Sequence, residues 1–186
     1  MFEQLFSDPS FRPDFLKIYP TLVTPGSAIE RLWQEGSYAP YDEDDLIDLV
    51  TYGKSLLPEY VRLQRIQRDI PAKLIVAGSR HSNFRQLCQN RLISQGKRCR
   101  CIRCREAGRL AGEGPRELRV LRYDAAGGRE HVISAVSGDS LVGFARLRTG
   151  GERWMDETAD AALLRELHVY GSIVPLGSQP APDQRQ

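Results

Sequence analysis

Cys99, Cys101 and Cys104 place three of the chain's four cysteines within six residues, with Arg98, Arg100, Arg103 and Arg105 between and around them. Thiolates this close repel one another unless a cation lies among them. Zn²⁺ accepts sulfur at tetrahedral vertices without redox chemistry, and neighbouring guanidinium charge favours the thiolate form that ligates. The C-x-C-x-x-C spacing supplies three ligands. A fourth has to come from His81, His131, a carboxylate such as Glu106, or water. The plain alternative is three reduced thiols in a basic loop, or an odd disulfide formed on oxidation. Cys88 sits in a helical apolar stripe and is not counted as a ligand.

A chain of 186 residues holds one good core or two small ones. No apolar run approaches the roughly 20 residues that span a bilayer, and no basic stretch followed by an apolar one opens the chain. The expectation is a cytoplasmic protein with no membrane contact, whose clustered cysteines stay reduced and bind metal. The net charge of +2 excludes little, but its distribution is informative. Residues 42–59 carry six acids and one lysine, whereas residues 80–109 carry nine Lys or Arg and only Glu106. Such a segment is the footprint expected of a phosphate-backbone contact, with Arg98, Arg100 and Arg103 at its centre. A solvated face with local ion pairs is the competing explanation.

Phe15 to Val23 reads as a strand closed by Thr24-Pro25-Gly26. Ser27 and Asp42 are set to cap two helices, the second carrying a stripe of Leu46, Leu49, Val50 and Leu56 up to Pro58. Tyr60–Ile66 looks extended, and a third helix from about Ser82 buries Phe84, Leu87, Cys88 and Leu92 and ends at Gly96. Beyond Leu118 the pattern changes to short strands with turns at Gly127-Gly128, Gly138-Asp139 and Gly150-Gly151, then a long strand over 161–176. The tail from Gly177 is polar and proline-bearing, as in a disordered or exposed segment.

Five strings point the same way: Lys17–Val23, Arg65–Pro71, Cys99–Glu106, Leu141–Leu147 and Arg165–Gly171. Over residues 10–177 the chain resembles the catalytic subunit of Elongator. That family modifies the wobble uridine of tRNA at C5 with a carboxymethyl-type group, joining a radical S-adenosylmethionine barrel to an acetyltransferase of the GNAT type. The resemblance implies an α/β (α+β) fold in three parts. Residues 1–80 would be the end of the barrel, 81–115 a zinc-binding linker, and 116–186 the first antiparallel strands of the acetyltransferase, truncated.

Site residues follow by position. The resemblance places Cys99, Cys101 and Cys104 on the linker's zinc ligands, with Gly108-Arg109 where relatives place a histidine. It places Lys17, Tyr19, Arg65, Gln67 and Arg68 on a substrate cleft suited to tRNA, and Leu167, His168, Val169 and Tyr170 on the strand that pairs with acetyl-CoA. Catalytic residues stay unassigned. In the intact family, acetyl-CoA, S-adenosylmethionine and a [4Fe–4S] cluster are cofactors beside zinc. This chain has no cluster motif before Cys88 and no glycine loop for the acetyl-CoA pyrophosphate after Leu176, so it is expected to bind zinc and tRNA without turnover, alone or with polypeptides that supply the missing halves. The alternatives are a stand-alone zinc-stabilised RNA-binding module and a general acyl-CoA transferase, the latter disfavoured by the missing glycine loop.

Overall fold

The computed structural model describes residues 1–108, 115–151, 161–174, 176–179 and 184–185. They form two compact units, one of Phe15–Cys101 and one in which Met1–Asp14 fold with Ile102–Gln186.

In the unit of Phe15–Cys101, β1 (Phe15–Ile18) pairs in parallel with β2 (Arg62–Ile66). The strand expected to reach Val23 stops at Ile18. Pro20 has no N–H to continue the ladder, and Val23 forms only an isolated antiparallel bridge to Ala77. Helix α2 (Ala28–Gln34) starts where Ser27 Oγ accepts from the Glu30 N–H at 3.3 Å, while Glu30 Oε2 accepts from the Gly26 N–H at 2.7 Å. Two donors at the helix start are thereby satisfied. Helix α3 (Glu43–Ser55) is capped by Asp42 and buries Leu46, Ile47 and Val50. Leu49, expected in that stripe, is instead exposed, and Ile47 takes its place. Helix α4 (Phe84–Ser94) packs on α3 through Phe84, Cys88 and Leu92. It ends as the glycine predicts: Gly96 adopts φ +66°, its N–H donates to Ile93 O at 2.9 Å, and the Lys97 N–H donates to Leu92 O at 2.9 Å.

The other unit is an antiparallel sheet in the order β3 (Arg116–Ala125), β4 (Gly128–Ser137), β5 (Ser140–Thr149) and β6 (Leu163–Val169). The first hairpin turns one residue earlier than expected, on Ala126 (φ +45°) and Gly127 (φ +74°), the pair of positive φ values that suits a right-twisted hairpin. Gly128 is already in β4. A Cβ there would lie 2.7 Å from the Arg148 guanidinium, so a side chain at this position would have to push the end of that arginine aside. The short helix α5 (Ile102–Arg105) was not foreseen. It seats Ile102 in a core with Val136, Leu141 and Phe144, and the Ala107 N–H then donates to Leu141 O at 2.8 Å. The long strand expected over 161–176 breaks after Val169, and Gly171 takes φ +135°. Within the tail expected to be disordered or exposed, Gly177–Gln179 are exposed, but β8 (Gln184–Arg185) pairs in parallel with β7 (Ser172–Ile173). Among the described residues no helix is long and apolar enough to cross a membrane.

Candidate functional site

The Sγ atoms of Cys99, Cys101 and Cys104 all lie within 4.8 Å of one another, the first two buried and the third exposed. None of the four cysteines is in a disulfide. A tetrahedral zinc with bonds of about 2.3 Å holds its sulfurs about 3.8 Å apart, so a small closure of the three thiolates accommodates the ion. One turn of helix makes this possible, since α5 folds the chain back after Cys101 and returns Cys104 to its neighbours. The fit is good for three ligands. No histidine or carboxylate joins the group among the described residues. His81 Nε2 is engaged by Glu43 Oε1 at 2.5 Å and His131 Nε2 by Thr149 Oγ1 at 3.1 Å, and Arg109 lies outside the described residues.

Lys17, Tyr19, Arg65, Gln67 and Arg68 gather at the carboxyl ends of β1 and β2, because the Gln67 N–H donates to Ile18 O at 2.8 Å and closes the ladder there. Lys17, Arg65 and Arg68 are exposed; Arg68 lies 5.2 Å from the centroid of the Tyr19 ring, and Arg65 pairs with Asp69 at 2.6 Å. Gln67 is different. It is buried, and its φ of +72° is a left-handed conformation uncommon outside glycine. Its Nε2 donates to Ser79 O at 3.0 Å, while Gln67 Oε1 and Ser79 Oγ are buried and unpartnered among the described residues. Each such atom costs about 1–3 kcal/mol. Ser79 had no signal in the sequence, because only the fold brings it beside Gln67.

The basic segment is less available than its sequence implies. Arg91 pairs with Asp44 at 2.7 Å and with Asp48 at 2.6 Å, and Arg100 pairs with Glu59, its Nε 2.7 Å from Oε1. Arg85 donates to Leu63 O at 2.8 Å, and Arg80 to Ile75 O at 3.1 Å. The acidic run of residues 42–59 therefore neutralises part of the basic run. Arg98 and Arg103 are exposed and flank the cysteines.

Strand β6 is an edge of its sheet, and Leu167 and Val169 are exposed on it. His168 and Tyr170 are half-buried, their ring centroids 4.5 Å apart, and Phe144 lies 6.1 Å from His168. Beneath them runs a charge network that sequence inspection missed. Arg146, 1% exposed, bonds Asp14 at 3.0 Å and Glu166 at 2.8 Å. Arg165 contacts Asp14 and lies 2.7 Å from Glu130, which also binds Arg148 at 2.7 Å. The register explains the convergence: Arg146 opposes Glu166 but Leu147 opposes Leu164, so Arg165 is an extra residue in a β-bulge, the device by which a strand re-aims a side chain. Burial opposes the charge on Arg165, yet Glu130 and Asp14 outweigh it and raise the guanidinium pKa above its ordinary value.

Comparison with known proteins agrees with this geometry. Residues 13–94 match the family described as the radical SAM C-terminal domain. The tRNA uridine(34) acetyltransferase of Methanocaldococcus infernus is 41% identical over 92% of this chain and 34% of its own length. The Dehalococcoides mccartyi protein of the same name is 42% identical over 94% of this chain and 40% of its own. Human Elongator complex protein 3 is 39% identical over 100% of this chain and 36% of its own. A solved structure of archaeal Methanocaldococcus infernus Elp3 with an N-terminal deletion superposes with a TM-score of 0.86 at 39% identity, covering 95% of this chain and 44% of that one. The chain thus spans about a third to two fifths of the length of these relatives. The family resemblance and the mixed α/β fold read from the sequence both hold.

Proposed function

We propose that this chain, a relative of the Elongator catalytic subunit and of the tRNA uridine(34) acetyltransferases, is the zinc-binding, tRNA-engaging part of a wobble-uridine modification system. The observation that carries this is identity near 40% along nearly the whole chain. Residues 1–80 then derive from the end of a radical S-adenosylmethionine barrel, 81–115 from the linker, and 116–186 from the opening strands of a GNAT-type acetyltransferase, although Met1–Asp14 pack with the last of these.

Cys99, Cys101 and Cys104 hold Zn²⁺, which stabilises the local fold of residues 99–104 because metal-binding energy is also folding energy. Exposed Lys17, Arg65 and Arg68 engage phosphates beside Tyr19, while Arg98 and Arg103 extend the contact and Arg100 joins it by leaving Glu59. The arm of acetyl-CoA is assigned to the edge strand β6 and its end, at Leu167, His168, Val169 and Tyr170. Modification of uridine also calls on a [4Fe–4S] cluster that cleaves S-adenosylmethionine and on an anchor for the acetyl-CoA pyrophosphate. The chain's four cysteines do not include a separate set for such a cluster. Competition binding tests the tRNA reading. Transfer RNA should displace a labelled tRNA from the zinc-loaded chain, whereas a DNA duplex at equal phosphate concentration should do so poorly; equal displacement by both would contradict the proposal.

A further inference from the structure

We infer that the exposed apolar face of the antiparallel sheet is a self-association surface, on which a second copy of this chain packs sheet against sheet. The inference is independent of the tRNA reading.

The strand register sets the face. Val120 opposes Ile133, Ile133 opposes Ala145, and Ala145 opposes Leu167. Directly opposed residues share one side of a sheet, so these four make an apolar rung across all four strands, and Leu118 and Val169 end the next rung. Leu118 is 77% and Leu167 68% exposed, and Val120, Leu164 and Val169 are exposed as well. The opposite side holds the charges. Arg146 faces Glu166 there, Glu130 faces Arg148, and Arg146 and Glu130 are buried, with Asp14 bonded to the arginine. A sheet that works alone turns its apolar side inward and wets its charged side. This sheet does the reverse, which marks the apolar side as one that is covered in use.

Area and charge select the occupant. The five exposed side chains leave roughly 500 Å² open to water, so two such faces in contact remove about 1,000 Å² before their half-buried neighbours count, the size at which specific interfaces begin. The middle of the face carries no charge, so it complements itself, as the two-fold dimer of identical subunits requires. Arg116 and Arg122 share its side of β3, near the two ends of the face. A two-fold axis across the strands would bring these arginines of the two copies together, which is repulsive. An axis along the strands instead lays β3 of one copy over β6 of the other, so that Leu118 and Val120 meet the counterparts of Leu164 and Leu167. Pairing through the β3 edge is discouraged by Arg116, Glu117, Arg119, Arg122 and Asp124 on that strand.

The test is sedimentation of the zinc-loaded chain, free of nucleic acid, across the micromolar range. A reversible dimer is expected, and it should persist in molar salt because apolar contact is not screened. The midpoint of thermal unfolding should rise with protein concentration. Leu118→Glu and Leu164→Glu each put two carboxylates into a two-fold interface and should weaken dimerisation by about tenfold or more, with zinc content and cooperative unfolding retained. Leu121→Glu lies on β3 as well but on the opposite side, against Val132, and should leave the dimer unchanged. A chain that stays monomeric throughout the range would overturn the inference. So would a dimer indifferent to Leu118→Glu and Leu164→Glu, which would be joined at a strand edge, or one that salt dissolves.

Discussion

Asp14 and Arg146 meet at 3.0 Å across 132 residues of sequence, the arginine 1% exposed, so the segment before the first strand is bonded to the third strand of the antiparallel sheet. Asp14 also receives Arg165, and the Tyr123 hydroxyl lies 3.5 Å away. Replacing Asp14 by Ala takes one carboxylate from Arg146 in an environment that cannot hydrate the charge. Removing one partner of a buried ion pair costs about 3–5 kcal/mol. Urea unfolding of Asp14→Ala should show a loss of that order, and Asp14→Glu should recover part of it. A change under about 0.5 kcal/mol, the range of ordinary surface substitutions, would mean the network is dispensable.

Cys88 gives a pH dependence. Burial pushes its thiol above the ordinary value of 9.0, against the opposing charge of Lys54 and the Thr51 hydrogen bond. The folded chain therefore keeps this proton to higher pH than the unfolded chain does. Its contribution to stability is complete below the unfolded thiol's pKa and is lost as pH rises through the folded one. Stability of the unaltered chain should fall faster above pH 9.0 than that of Cys88→Ala, measured against each protein's own value at neutral pH. Parallel curves would refute the assignment.

Glu59 bonds Arg100, and under the proposed tRNA reading that pair competes with a phosphate for the guanidinium. Glu59→Gln weakens that bond and frees the guanidinium for a phosphate. RNA affinity at low salt should rise severalfold, with the slope of log K against log salt steeper by about 0.7, as for one further phosphate of a single strand. Arg100→Gln should move both quantities the other way. Unchanged affinity in both variants would restrict Arg100 to a structural role.

Cys101→Ser removes the most buried of the three thiols. Elemental analysis of the unaltered chain under reducing conditions should find about one zinc per chain, and the variant should lose most of it together with some thermal stability. Full occupancy in the variant would show that the metal does not sit on this cluster.

Much of this architecture was legible because it is local. Helix caps at Ser27 and Asp42, the Gly96 terminus, the hairpins and the cysteine cluster each depend on residues a few positions apart. What escaped was written across long separations. The acidic and basic runs look like opposed surfaces in the sequence, yet Glu59 and Arg100 or Asp48 and Arg91 meet once α3 and α4 pack. No periodicity announces that Arg165 bulges toward Asp14, and nothing in Leu49 or Ile47 alone tells which of two adjacent apolar residues turns inward. Alternation persists through Pro20 and so suggests a longer strand, yet β1 stops at Ile18 because the proline has no N–H to continue the ladder.

The most direct measurement is a salt titration of binding between the zinc-loaded chain and an anticodon stem-loop carrying the wobble uridine. Saturable binding is expected, with log K falling linearly against log salt at a slope of about −0.7 for each phosphate engaged, weakened by charge reversal at Arg68 and Arg103 with zinc retained. Absence of saturable binding at low salt, or binding indifferent to both salt and these substitutions, would contradict the assignment of this chain to the tRNA-engaging part of the system.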